Sequence, residues 1–261
     1  MYFDSHLHSE GLGFSELVKL KENGIKEVCS LAFFPVKPKY PQTMIDVFRK
    51  LTEFEPLRCE AAGVKMHPAV GIHPRCIPPD YEFVLGYLEE GEWVAFGEIG
   101  LELVTDEEIE VLKSQLELAK RMDVPCIIHT PRGNKLKATR KTLEILESLD
   151  FPADLAVIDH VNFETLDMVL ETEYWIGLTV QPGKLSAEDA ARIVAEHGPE
   201  RFMLNSDAGY RDVEITTVAE AAVKIEEAVG REEMEKVARE NARKFLRVLE
   251  AAALEHHHHH H

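Results

Sequence analysis

The sequence predicts a single (β/α)8 TIM barrel of the α/β class, closed by an extra C-terminal helix. Three observations carry this. Short β-rich apolar runs alternate with longer amphipathic stretches, the pattern that lays helices over a parallel sheet. Eight such runs occur in 261 residues, a length that suits one barrel. Six of the eight end in His, Glu or Asp, at the strand end where a barrel carries its chemistry.

The first run, "MYFDSHLH", alternates so that Asp4, His6 and His8 share one face and Phe3 and Leu7 the other. "FSELVKLKENG" follows as a helix stopped at Gly24. "IKEVCSLAF" is the second strand. "HPAVGIHP" is the third and ends at His73, and "WVAFGEIGLE" is the fourth, with Glu98 set among glycines. "DEEIEVLKSQLELAKRMD" places Ile109, Leu112, Leu116 and Ala119 at helical spacing. The fifth and sixth strands, "VPCIIHT" and "DLAVIDH", end at His129 and His160, and "YWIGLTV" is the seventh. "SAEDAARIVAEHG" opens with Ser186 as a helix cap and Asp189 at the capping-box distance. "RFMLNSD" is the eighth strand and ends at Asp207; residues 231–251 form the closing helix. Residues 1–253 make one domain. Residues 254–261 read as an expression tag that holds six of the thirteen histidines.

Composition bounds the function. An apolar fraction of 45% supplies a core. No apolar run approaches the ~18 residues of a membrane span, so no membrane role is expected. Cys29, Cys59, Cys76 and Cys126 show neither a CxxC pair nor a disulfide rhythm, which points to a reducing, cytoplasmic setting. A formal charge of −18 repels nucleic acid in general, so no stable nucleic-acid complex is expected. A phosphate substrate then needs a local basic site or bound cations. Arg132 is the first candidate, three residues past His129, because a guanidinium fork matches phosphate oxygens. Lys135, Arg75 and Lys184 are further candidates, whereas Lys137, Arg140 and Lys141 read as solvated charge.

The strand-end residues His6, His8, Glu98, His129, His160 and Asp207 comprise four imidazoles and two carboxylates. That set exceeds one tetrahedral zinc with an open position and suits two divalent ions sharing a carboxylate or a water. Zinc is the first choice for a His-rich set; Mg²⁺ or Mn²⁺ with more water are the alternatives. Two ligand positions have competitors: Asp159 for His160, after a one-residue register slip, and Asn205 or Asp212 for Asp207. His67, near the start of its strand, and His197, at a helix end, read as structural. Asp4 reads as support beneath His6.

In "FDSHLH", "VGIHP", "FGEIGLE", "PCIIHTPR", the strand-six histidine, "SDA" and "ENARKFL", taken in order, the chain resembles the TatD-related metal-dependent hydrolases of the amidohydrolase superfamily. The resemblance implies that His6, His8 and Asp207 bind one metal, that His129 and His160 bind a second, and that Glu98 bridges them. It implies that Asp207 orients the attacking water or takes its proton, making Asp207 and Glu98 the catalytic pair, and that His73 contacts substrate. The chain departs from the family at Ser9-Glu10, "DHVNFE" and "LNSDAG", so its substrate loops differ. The expected activity is hydrolysis of a phosphoester by a metal-activated water, on a small molecule or a nucleic-acid end, as in a deoxyribonuclease. The alternatives are amidohydrolase-type attack on an amide, lactone or amine, and a non-catalytic metal-binding barrel.

Overall fold

Parallel strands and helices alternate along the chain, and in the computed structural model, which describes residues 1–248, they close into a (β/α)8 barrel. The strands are β1 (Tyr2–Leu7), β2 (Ile25–Leu31), β3 (Lys65–Val70), β4 (Ala95–Gly100), β5 (Cys126–His129), β6 (Ala156–Ile158), β7 (Trp175–Thr179) and β8 (Phe202–Asn205). Each pairs in parallel with the next. The seam from β8 to β1 is drawn shut by Asp207 N donating to His6 O (2.9 Å) and His8 N donating to Ala208 O (2.8 Å). There the backbones of Gly11 and Gly209 approach so closely that a Cβ on Gly11 would lie 1.8 Å from Gly209 O.

The helices are α1 (Phe14–Glu22), α2 (Pro41–Glu53), α3 (Glu55–Ala61), α4 (Tyr81–Glu90), α5 (Asp106–Met122), α6 (Lys135–Ser148), α7 (Leu166–Leu170), α8 (Ala187–His197), α9 (Thr217–Val229), α10 (Arg231–Glu235) and α11 (Asn241–Phe245). A π-helical turn, Lys236–Glu240, joins the last two into the closing helix. Its predicted residues 249–251, and the tag at 254–261, lie outside the described residues. Local chemistry sets the ends. Ser186 and Asp189 form the reciprocal capping box of α8, and Gly24 takes the left-handed φ of 83° after α1.

Strand alternation divides the core in two. Val28, Val70, Phe96, Ile128, Ile158 and Leu204 pack outward under the helices. Their neighbours Cys29, Ala69, Ala95, Ile127, Val157 and Met203 fill the barrel with Phe3, and the closing helix plugs them with Ala242, Phe245 and Leu246. The first strand breaks this rule. Phe3 belongs to the inner cluster and Leu7 to the outer one, although they are an even number of residues apart. The pairing of β1 with β2 shifts register between Asp4 and Leu7. The expectation that Phe3 and Leu7 share a face, opposite Asp4, His6 and His8, is therefore corrected: an irregularity in β1 resets the alternation before His6.

Candidate metal centre

All six candidate ligands meet at the C-terminal rim of the barrel. His6 and His8 leave β1 with their ring tautomers set from behind. His6 Nδ1 donates to Asp159 Oδ2 (2.5 Å) and His8 Nδ1 donates to the Leu31 carbonyl (2.9 Å), so each Nε2 lone pair faces the centre. His6 Nε2 is buried, makes no hydrogen bond, and lies 3.4 Å from both Glu98 Oε2 and Asp207 Oδ1. His8 Nε2 lies 3.3 Å from the same two oxygens. Ligand atoms about 2.0–2.1 Å from a tetrahedral ion stand about 3.4 Å apart, so the spacing of these four fits a divalent cation.

The other oxygen of Glu98 serves a second group. Glu98 Oε1 is 2.9 Å from His129 Nδ1, 3.4 Å from His160 Nε2 and 3.9 Å from His73 Nε2. One carboxylate thus spreads its two oxygens over two sets of imidazoles, the disposition a bridge between two ions requires. His129 Nε2 lies 2.9 Å from Glu102 Oε1, so this ring sits between two carboxylates. His73 is different. Its Nδ1 accepts from the Arg75 backbone N–H (2.9 Å), which leaves the proton on Nε2. His73, Glu102 and His129 have ligand atoms within 4.8 Å of one another, yet His73 offers that group a donor hydrogen rather than a lone pair.

Two ligands depend on unusual backbone. His160 and Asp207 lie past the ends of β6 and β8 with φ of 59° and 52°, a left-handed conformation that costs about 1–2 kcal/mol for an ordinary residue. That twist resolves the register competition at β6. Asp159 and His160 are both buried and both reach the centre, one behind His6 and one beside Glu98. Asn205 is buried below the centre, its amide 3.3 Å from Asp159 Oδ1. The loop after β4 is shaped by Glu108, whose carboxylate accepts from the backbone N–H groups of Glu102, Leu103 and Val104 at 2.7–3.0 Å and so positions Glu102.

Electrostatics follow from this crowding. Burial opposes charge on His6, but Glu98 and Asp159 outweigh it and hold its pKa well above the ordinary imidazole value. His8, likewise buried but hydrogen-bonded to Asp207 and Glu98, is raised to about 9. Burial would raise Glu98 and Asp207, yet the surrounding imidazoles, with Lys184 beside Asp207, hold both carboxyls well below the usual range. His73 and His160 are driven down, chiefly by burial. Without a metal the centre is a buried set of shared protons; a divalent cation is the natural replacement for them.

The centre opens into a cavity of about 350 Å³ lined by Phe33, His73, Arg75, Glu102, Arg132, Lys184, Tyr210 and Arg211. Arg132 is exposed and donates to Gln181 Oε1 (3.2 Å); Lys184 Nζ sits 2.8 Å from Asp207 Oδ2. One expectation is corrected. Lys135 does not face this mouth: its buried ammonium donates to Thr130 Oγ1 (2.9 Å) and the His160 carbonyl (2.8 Å). Asp4 supports His6 through the backbone: its carboxylate accepts from the His6 N–H and from the Ser206 N–H and Oγ, which also steadies the approach to Asp207. Sequence reasoning missed Glu102, Phe33, Tyr210 and Arg211. Only Glu102 had a signal, as a second carboxylate close behind Glu98 in "GEIGLE".

A family model described as TatD related DNase matches residues 3–247. A protein of Methanocaldococcus jannaschii described as an uncharacterized metal-dependent hydrolase is 37% identical over 211 residues, covering 79% of this chain and 83% of that one. The crystal structure of a TatD-like protein from Archaeoglobus fulgidus is 94% identical, with a TM-score of 0.84 over 95% of this chain and 100% of that chain. The phosphotriesterase homology protein of Escherichia coli, solved with phosphate in its active site, shares the fold at 13% identity and a TM-score of 0.68, over 94% of this chain and 98% of that one.

Proposed function

Because this chain belongs to the TatD related DNase family, we propose that it is a metal-dependent hydrolase that cleaves a phosphoester, on a small molecule or a nucleic-acid end, with two divalent cations. The division of the Glu98 oxygens between His6/His8 and His129/His160 carries the two-metal reading. The cationic wall of Arg75, Arg132, Lys184 and Arg211, on a chain with 47 acidic against 29 basic residues, carries the anionic-substrate reading.

His6, His8 and Asp207 would hold one ion and His129 and His160 the other, with Glu98 between them. Zinc best matches these donors, with magnesium or manganese next, and such ions supply Lewis acidity and bring the pKa of water from 15.7 toward about 7. The chain's own groups do the rest. Asp207 orients the attacking water and takes its proton, and Lys184 keeps that carboxylate ionised until it does. Asp159 and the Leu31 carbonyl keep the His6 and His8 rings from turning. The His73 Nε2–H donates to a substrate oxygen, and the Arg132 fork pairs with the oxygens of the phosphoryl group.

A hydrolysis screen with metal-replete protein tests this. Turnover of phosphomonoesters or phosphodiesters, lost in Asp207→Asn, is expected. Turnover confined to lactones or amides moves the substrate class to the alternative. Equal background rates for the wild type and Asp207→Asn leave a non-catalytic metal-binding barrel.

A further inference from the structure

Behind Arg132 and Lys184 lies a second, smaller cavity of about 100 Å³, lined by Arg132, Lys135, His160, Asn162, Thr179 and Lys184, with Val161 and Gly183 completing it. No carboxylate is among these lining residues, although the chain as a whole has 47 acidic residues against 29 basic ones. We propose that this cavity is a subsite for a second tetrahedral oxyanion, a phosphate group other than the one attacked; the proposal rests on the phosphoester reading of the neighbouring centre.

Three basic side chains line the space, and among the described residues two of them, Lys135 and Arg132, form no ion pair with a carboxylate. The Lys135 ammonium spends its protons on neutral acceptors: Thr130 Oγ1 (2.9 Å), the His160 carbonyl (2.8 Å) and the Thr130 carbonyl (3.5 Å). Arg132 donates to the neutral Gln181 amide oxygen (3.2 Å) and forms no salt bridge among the described residues. Lys184 shares its charge with Asp207 across the wall. The Lys135 side chain is buried beside this void; burial lowers its pKa to about 7, and the more distant Glu102 and Glu164 offset that only in part. At ~30 Å³ of liquid volume per water, the space holds roughly three waters or one tetrahedral oxyanion. The fourteen-residue helix α6 begins at Lys135 with no side-chain cap on its first N–H groups, which adds its positive end to the same place. Arg132 and Lys184 line both cavities, so a substrate with two anionic groups would place one at the metals and the other behind this shared wall.

Calorimetric titration of metal-loaded protein with inorganic phosphate tests the subsite directly. Asn162→Asp puts a carboxylate on the lining while retaining the side-chain oxygen that accepts from the Glu164 and Thr165 N–H groups. It should weaken phosphate binding about tenfold, as expected for a like charge held close by in a partly buried site. Lys135→Met is the second variant, removing one cation from the cavity; a melting curve accompanies it, since Lys135 also braces the His160 loop. Unchanged phosphate affinity in folded Asn162→Asp overturns the proposal and leaves the phosphoester reading intact. Weakened phosphate binding in a protein that turns over no phosphoester supports the subsite and removes only that reading. A nucleoside monophosphate and the corresponding 3′,5′-bisphosphate then identify the source. A KM advantage for the bisphosphate that Asn162→Asp abolishes assigns the subsite to a second substrate phosphate. The same KM ratio in both proteins, with phosphate inhibition weakened in the variant, assigns it to released phosphate.

Discussion

The two ends of the barrel bury the same kinds of residue to opposite effect. At the bottom, His67 Nε2 meets Glu27 Oε2 at 2.6 Å, Arg243 pairs with the other oxygen of Glu27, and Phe3 stacks on the His67 ring. The histidine ring nitrogen and the carboxylate are answered there, and the closing helix covers them. At the top, Glu98 is approached by five imidazoles and Asp207 by three, while His6 Nε2 has no hydrogen bond. At the bottom each oxygen of Glu27 has its own basic partner, and that pairing holds the fold together. A set in which the ring nitrogens of His6 and His8 and the oxygens of two carboxylates converge is complete only with cations, and that is the physical mark of a site. Burial alone does not tell the two ends apart.

The comparison predicts that the top can be disabled without unfolding the chain and that the bottom can be weakened without stopping the chemistry. Asp207→Asn should lower kcat by about a thousandfold or more, from the loss of a proton acceptor and a metal ligand, with melting temperature of the metal-free protein nearly unchanged. A parallel kcat and circular-dichroism measurement checks it; joint loss of fold and activity would erase the distinction. Glu27→Ala should cost about 3 kcal/mol in urea unfolding, because it strands His67 and Arg243, yet keep kcat at the top within about twofold. Asp159→Asn touches no metal directly but frees the His6 ring. Metal affinity should fall about 10–100-fold, read by competition with a chromophoric chelator, and excess metal should restore most of the rate.

The smallest effect is a dependence on pH. In the metal-free fold His8 is raised from 6.5 to about 9. A pKa raised by folding stabilises fully below the unfolded value and ceases to do so as pH climbs through the folded one. Chelator-treated protein should therefore lose a few degrees of melting temperature between pH 6.5 and 9, by the usual ~4 °C or less per kcal/mol for this size. Metal-loaded protein, whose imidazoles are neutral ligands already, should not show this loss. Scanning calorimetry with and without metal sharpens the contrast; a matched pH response in both forms would mean that the top is not a proton-for-metal exchange site.

Much of the barrel was legible because it is periodic. Runs such as "VPCIIHT" and "RFMLNSD" carry strand alternation and end in a polar residue at the rim, so counting could place His129 and narrow the last strand's ligand to Asp207 against Asn205 and Asp212. Features that break the period were not. The irregularity in β1 sends Phe3 inward and Asp4 toward Ser206, and a strict two-residue alternation cannot predict it. The left-handed turn at His160 lets Asp159 and His160 act together where register allowed a choice of one.

Residue type and spacing, then, were enough to predict the number of strands, their order and which strand ends carry polar side chains, because each rests on local periodicity and on which end of a strand a residue occupies. Tertiary structure alone decided which carboxylate stands behind each imidazole, that Glu98 divides its oxygens between two sets of ligands, and that Lys135 turns inward while Arg132 stays at the mouth. Those outcomes depend on atoms 20 to 200 residues apart along the chain coming within hydrogen-bonding distance, which barrel closure imposes and no local pattern encodes.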